Sequence, residues 1–269
     1  MLSVMTNNAS NIAQNAVTKN NDLLGNAMER LSTGLRINSA ADDAAGLQIA
    51  TRLNANVTGM ETASRNVNDA TSMLQTADGA LDELSTIANR QKELATQAAN
   101  GVNSAEDLKA INAEFQELTK EITRIVDNTE YSGNKLFDAL DGAGVEFQIG
   151  AGATEQLSVT VAKADLAGVT DDISAAGAAK GAIDKIDTFI DKVGTQRSTL
   201  GANINRLGHT GSNHANVTEN TKAAAGRIMD ADFAVESANM TKNQLLVQAG
   251  TNILSSANQN TGLVMGLLG

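Results

Sequence analysis

Apolar residues in the first half of the chain recur at alternating steps of three and four. From Val67 they run through Ala70, Leu74, Ala77, Leu81, Leu84 and Ala88, pass a polar Gln91, and resume at Ala95 and Ala98. Leu53 and Met60 extend the ladder backwards. A seam held over about six heptads is the mark of a coiled coil rather than an isolated amphipathic helix. Asp42 and Asp43 precede Ala44 as N-cap candidates, and Asn100-Gly101 closes the run. A helix of about 57 residues would extend roughly 85 Å.

Ser104 then opens a Ser-Ala-Glu-Asp capping-box pattern, followed by Leu108, Ile111, Phe115, Leu118, Ile122 and Ile125 on one helical face. The short turn between the two helices predicts antiparallel packing. A second heptad stretch runs through Ile183, Ile186, Ile190, Val193, Leu200, Ile204 and Leu207, interrupted by Arg197. Between the helical stretches the period falls to two. Val145, Phe147 and Ile149 alternate with polar residues, Gly150-Ala151-Gly152 turns the chain, and Leu157, Val159 and Val161 alternate again, which predicts a β-hairpin near 145–162. The Ala-, Gly- and Asp-rich segment 164–181 reads as a surface connection.

Both ends keep helical apolar spacing but carry few charges. Val17, Leu24, Met28, Leu31 and Leu35 form one stripe at the start; Leu246, Ala249, Ile253, Ala257, Val264 and Leu268 form one at the finish. Such helices are poorly covered alone, so each end reads as half of an interface. The fold class is therefore mainly α: long antiparallel coiled-coil-like helices, one small β-hairpin, and a discontinuous terminal helical layer. The expected division is a terminal coiled-coil layer of 1–42 with 229–269, and an outer helical rod of 43–228.

Composition sharpens this picture. The 269 residues include no proline, where about a dozen would be usual, as long unbroken helices require. There is no cysteine, hence no disulfide framework, thiol nucleophile or cysteine-based metal site. A net charge of −11 disfavours nucleic acid and anionic membrane surfaces, and no window is apolar enough for a membrane span. The first basic residue is Lys19, so the charged start of a secretory signal peptide is not expected.

Catalytic chemistry is sparse. His209 and His214 lie five residues apart with no intervening Glu, which is not the helical zinc pair. Gly142, Gly144, Gly150 and Gly152 border strands rather than opening a helix, so they do not form a phosphate loop. Catalytic residues, cofactors and metal ligands are all read as none. The paired ends point instead to a subunit whose assembly completes its core.

Three segments carry a family resemblance. Glu29-Arg30-Leu31-Ser32-Thr33-Gly34-Leu35-Arg36-Ile37-Asn38-Ser39-Ala40-Ala41-Asp42-Asp43-Ala44-Ala45-Gly46-Leu47 resembles the N-terminal hallmark of bacterial flagellin. Ala70-Thr71-Ser72-Met73-Leu74-Gln75-Thr76-Ala77-Asp78-Gly79-Ala80-Leu81 does so too, as does Gln248-Ala249-Gly250-Thr251-Asn252-Ile253-Leu254 with the final Leu267-Leu268-Gly269. The resemblance covers residues 1–163 and about 180–269. The short 164–181 segment stands where many flagellins insert large variable domains, and the opening Met1-Leu2-Ser3-Val4 is similar to the short lateral type.

The resemblance implies a non-enzymatic structural subunit that polymerises into the extracellular flagellar filament for motility. It implies export unfolded through the flagellar type III apparatus without a cleaved signal peptide. The implied partners are other copies of the chain, a flagellar export chaperone, the filament cap and hook-associated proteins. A hook–filament junction protein is the alternative reading, because it shares the paired terminal helices. The resemblance also implies a site for the flagellin-sensing Toll-like receptor, which doubles as a subunit interface, at Arg90, Leu94, Gln97 and Glu114. The spacing of Arg90 and Leu94 lets one helix face present both. The expected seam residues are Val67, Leu74, Leu81, Leu84, Ile186, Val193, Leu200 and Leu207. The expected terminal interface is Leu24, Leu31, Leu246, Ile253, Val264 and Leu268.

Overall fold

The computed structural model describes residues 7–268, with the side chains of Ala176 and residues 260–268 outside the description. The elements run α1 (Asn8–Thr33), α2 (Ala44–Ala98), α3 (Ala105–Asn128), β1 (Glu130–Tyr131), β2 (Asn134–Lys135), α4 (Leu136–Leu140), β3 (Val145–Gln148), β4 (Gln156–Val159), a 3₁₀ turn (Lys163–Leu166), α5 (Ala176–Met229) and α6 (Phe233–Leu268). Two compact units result: Met1–Ala55 with Asn220–Gly269, and Asn56–Glu219. The division falls within α2 and α5, because a helix can change its packing neighbours without interrupting its own hydrogen bonds.

In the first unit α1 and α6 pair antiparallel. Asn7 Nδ2 donates to Ala257 O at 2.9 Å at one end, and Arg30 Nη1 donates to Glu236 Oε1 at 3.1 Å at the other. Along α1 the inward positions are Ser10, Ala13, Val17, Asn20, Leu24, Ala27 and Leu31, in three-four steps. Along α6 they are Met240, Asn243, Val247, Gly250, Leu254 and Ala257. This corrects the expected stripe. Leu246 and Ile253 are 41% and 60% exposed, while Leu24 and Leu31 are half-buried; the side chains of Val264 and Leu268 lie outside the described residues. Gly250 explains the choice of face. A Cβ there would stand 2.5 Å from Val17 Cγ2, so only the face holding Gly250 lets the helices approach this closely.

The segment after α1 is pinned to the α5–α6 junction. Gly34 takes φ +74° as the α1 C-cap, its N–H bonded to Arg30 O. Arg36 N donates to Met229 O at 2.6 Å and Ala231 N to Gly34 O at 3.0 Å. Asp42 Oδ2 accepts from Asn38 N, Ser39 N and Ser39 Oγ, while Asp43 Oδ1 accepts from Gly46 N and caps α2. Both acids of the expected cap are thus used, one for the turn and one for the helix.

In the second unit α3 runs antiparallel to α2, opening on a complete capping box between Ser104 and Asp107. α5 also lies along α2, where Arg197 bonds Asp78 Oδ1 at 2.9 Å and Asp82 Oδ1 at 2.6 Å, and Lys92 pairs with Asp187 at 2.5 Å. Val67, Leu74, Leu81, Leu84, Ile186, Val193, Leu200 and Leu207 are all buried, together with Phe115, Ile122, Leu136, Phe137 and Leu140. β3 and β4 pair antiparallel with Val145 opposite Val159 and Phe147 opposite Leu157. The hairpin is held against both long helices: Asn66 Nδ2 donates to Gln148 O at 3.1 Å, and His214 Nε2 bonds Ile149 O.

The segment 164–181 is not a surface connection. Leu166 and Ile173 have no exposed area and Val169 is buried with them. Thr119 Oγ1 donates to Val169 O at 3.0 Å, Gln116 Nε2 to Asp171 O at 2.9 Å, and Ile173 N to Asn112 Oδ1 at 3.0 Å. Residues 176–181 already belong to α5, and α3 supplies polar partners for the irregular backbone of 167–175, which would otherwise be buried unsatisfied. Composition hid this because three apolar anchors among Ala, Gly and Asp residues show no period.

Two predictions follow from this packing. Leu84→Ala should cost about 2–5 kcal/mol through the cavity it leaves, measured by thermal or denaturant unfolding of the monomer; a loss below about 0.5 kcal/mol would place Leu84 outside the seam. The second concerns acid. Hydrogen bonds from Ser39 and Asn38 hold the Asp42 carboxyl below its ordinary value, and those from Ser104 do the same for Asp107. A depressed folded pKa gives stability that is fully present above the unfolded value of about 3.9 and is lost as pH falls through the folded value. Acid unfolding followed by circular dichroism should therefore begin below about pH 4, and Asp42→Asn should flatten its dependence on pH.

Candidate assembly and recognition surfaces

Arg90 lies on an exposed face of α2 opposite the first half of α3. Its Nε and Nη2 donate to Glu114 Oε1 at 3.0 and 2.7 Å, and its Nη1 donates to Glu93 Oε2 at 2.9 Å. The bond to Glu114, then that to Glu93, raises the guanidinium above its already high pKa. Arg90 and Glu114 are each about half exposed, so water screens their attraction, and the pair orients the two side chains more than it stabilises the fold. Gln97, the penultimate residue of α2, is also exposed, and its backbone O accepts from Asn103 Nδ2 at 2.6 Å.

Leu94 does not join this surface. It is 2% exposed and belongs to the core. The i, i+4 spacing rotates Leu94 about 40° from Arg90 around the helix. On α2, which is covered by both α3 and α5, that rotation is enough to carry it inside. The recognition patch expected from the sequence is therefore polar, made of Arg90, Gln97 and Glu114 without its apolar member.

Two polar residues that interrupt the heptads have defined roles. Gln91 has no exposed area and donates through Nε2 to Thr119 Oγ1 at 2.8 Å, which in turn holds Val169 O. Arg197 reaches two carboxylates on α2. Nothing in a single sequence assigns these partners, since each lies on another helix.

The apolar surface of the terminal pair is larger than expected. On α1, Ile12, Leu23 and Met28 are 64%, 43% and 50% exposed; on α6, Phe233, Val235 and Leu245 join Leu246 and Ile253 in the open. Spacing alone missed Ile12 and Leu23 because they fall off the inner stripe. The helices thus carry apolar side chains beyond the inner stripe, which their pairing leaves exposed.

His209 is exposed and His214 serves the hairpin. Among the described residues no three His, Cys, Asp or Glu side chains gather to hold a metal ion, and no helix is long and apolar enough to cross a membrane.

Comparison with known proteins accounts for these features together. Residues 4–141 match the bacterial flagellin N-terminal helical region, and residues 183–268 match the bacterial flagellin C-terminal helical region. A flagellin of Halalkalibacterium halodurans is 44% identical over 247 residues, covering 90% of each chain. A flagellin of Bacillus subtilis is 39% identical over 290 residues, covering 94% of this chain and 95% of that one. Among solved structures, the crystal structure of Bacillus cereus flagellin aligns with a TM-score of 0.51 and 34% identity over 56% of this chain and 88% of that one. A putative flagellar hook-associated protein from Vibrio parahaemolyticus aligns with a TM-score of 0.58 at 14% identity, a likeness of fold alone. With both terminal regions matched in order and relatives aligned over nearly their whole length, the chain belongs to the bacterial flagellin family.

Proposed function

We propose that this flagellin builds its filament by burying the open apolar faces of α1 and α6 against neighbouring subunits. The protein is a structural subunit of the flagellar filament. The observation carrying the assembly reading is the exposure of Ile12, Leu23, Phe233, Val235, Leu245 and Ile253 on a helix pair that has already covered its inner stripe. Large apolar side chains left exposed in this number on one helix pair mark an interface, and a repeated heterologous contact propagates into a helical polymer rather than closing.

The proposal extends to export and incorporation. The chain is exported unfolded through the flagellar type III apparatus, a route its lack of cysteine suits, and is incorporated beneath the filament cap beyond the hook-associated proteins. A flagellar export chaperone is its partner until then. The segment 164–181 stays against the core instead of carrying an outer domain, so the filament surface is a minimal one.

Seeded polymerisation followed by electron microscopy tests the assembly reading. Ile253→Asp should leave the monomer's thermal unfolding unchanged yet raise the protein concentration needed for growth at least about tenfold, because an unpaired carboxylate would be buried at the contact. Wild-type growth by this variant would remove α6's outer face from the interface.

The Arg90–Glu114 pair is the reading's recognition site, shared between subunit packing and the flagellin-sensing Toll-like receptor. One guanidinium offers several charge-assisted donors in a fixed fork, which suits either partner. Arg90→Ala and Glu114→Ala should each reduce motility in soft agar and receptor binding by purified monomer. Full motility with lost binding would leave only the receptor role, and unchanged binding in both variants would remove that role.

A further inference from the structure

The turn between α2 and α3 ends in a side chain that the subunit itself does not use. Val102 is 84% exposed, the most exposed large apolar side chain among the described residues, and it stands among Asn100, Gly101 and Asn103. Turns favour glycine and short polar residues because these satisfy or free the local backbone. A β-branched apolar residue at this tip gains nothing from that chemistry and leaves its surface in water.

The same unit carries a complementary feature. A groove of about 460 Å³ opens between Met73 on α2, Tyr131 beside the β1–β2 turn, Leu136 and Ala139 on α4, and Val145 at the start of β3. Its walls are predominantly apolar, and exposed Lys135 stands on its rim. Tyr131 is fixed there by a bond from its hydroxyl to Asp69 O at 3.2 Å, so the groove is bounded by residues already held in place.

We propose that Val102 of one subunit seats in this groove of a second copy of the chain, forming a head-to-tail contact along the filament. The inference rests on the filament reading and names one of its contacts. Val102 and the groove cannot meet within one subunit: Met73 and the end of α2 are separated by about 25 residues of unbroken helix, or roughly 38 Å. A projection that fits a pocket elsewhere on the same molecule makes a heterologous contact that does not close on itself, which is the geometry a filament requires. Charge agrees with the docking. Glu106, exposed in the first turn of α3 beside Val102, is opposite in sign to Lys135 at the groove, whose lining acid, Asp138, is already paired with Lys163 at 2.6 Å.

The absence of cysteine allows a direct test. Purified unmodified protein, Val102→Asp and the pair Val102→Cys with Ala139→Cys would be polymerised from seeds, and the cysteine-bearing filaments mildly oxidised. Non-reducing electrophoresis should show a ladder of covalent multimers from filaments of the double variant, with none from its monomer. Val102→Asp should elongate at least about tenfold more slowly, while its monomer unfolds at the unmodified temperature. Elongation of Val102→Asp at the unmodified rate, or oxidised double-variant filaments without a ladder, overturns the proposal while the filament reading stands. Failure of the unmodified protein to grow from seeds would instead bring down the filament reading itself.

Discussion

Everything in the unit 56–219 depends on the burial of one helix, α2, along much of its length. Leu74, Leu81 and Leu84 have no exposed area, and Ala70, Ala77, Ala88, Ala95 and Ala98 alternate with them. Small residues at these steps let α3 and α5 come close, so a thin core can be sealed with very few aromatic rings. Phe115, Phe137 and Phe189 supply the larger volumes where α3, α4 and α5 meet that core. The hairpin and the 164–175 segment then close its edges.

A uniform heptad ladder has a weakness: it can pair in more than one register. Here the polar interruptions restrict the choice. Displacing α5 by a heptad would take Arg197 away from Asp78 and Asp82, and displacing α3 would strand Gln91 in an apolar core without Thr119. Gln91 illustrates the cost of such devices, since its Oε1 is buried without a hydrogen-bond partner among the described residues. An unsatisfied buried acceptor costs about 1–3 kcal/mol. We read that cost as the counterpart of a specified register, the role in which polar seam residues are best attested.

The terminal unit works by a different balance. α1 and α6 carry apolar residues on two faces, and Gly250 selects which face pairs because only there can the backbone approach Val17. Ile12, Leu23, Met28, Leu246 and Ile253 lie outside that contact and stay exposed. A net charge of −11 opposes uncontrolled association, while the terminal helices carry few of those charges and leave large apolar side chains exposed.

The sequence by itself determined the long helices, the presence of the hairpin and the seam. The three-four ladder, the missing prolines, the Ser104 capping box and the alternation on either side of Gly150 are local signals whose meaning does not depend on distant residues. The family hallmarks were equally legible. Tertiary structure alone decided which of two apolar stripes on α6 faces α1, that Leu94 turns inward beside an exposed Arg90, and that the Ala- and Gly-rich segment after the hairpin is anchored by Leu166, Val169 and Ile173. In each case the deciding quantity is the distance to another element: Gly250 to Val17, α2 to both flanking helices, and Thr119 to Val169 O. Periodicity specifies a face relative to its own helix axis, and only the packed neighbours fix which face is inside.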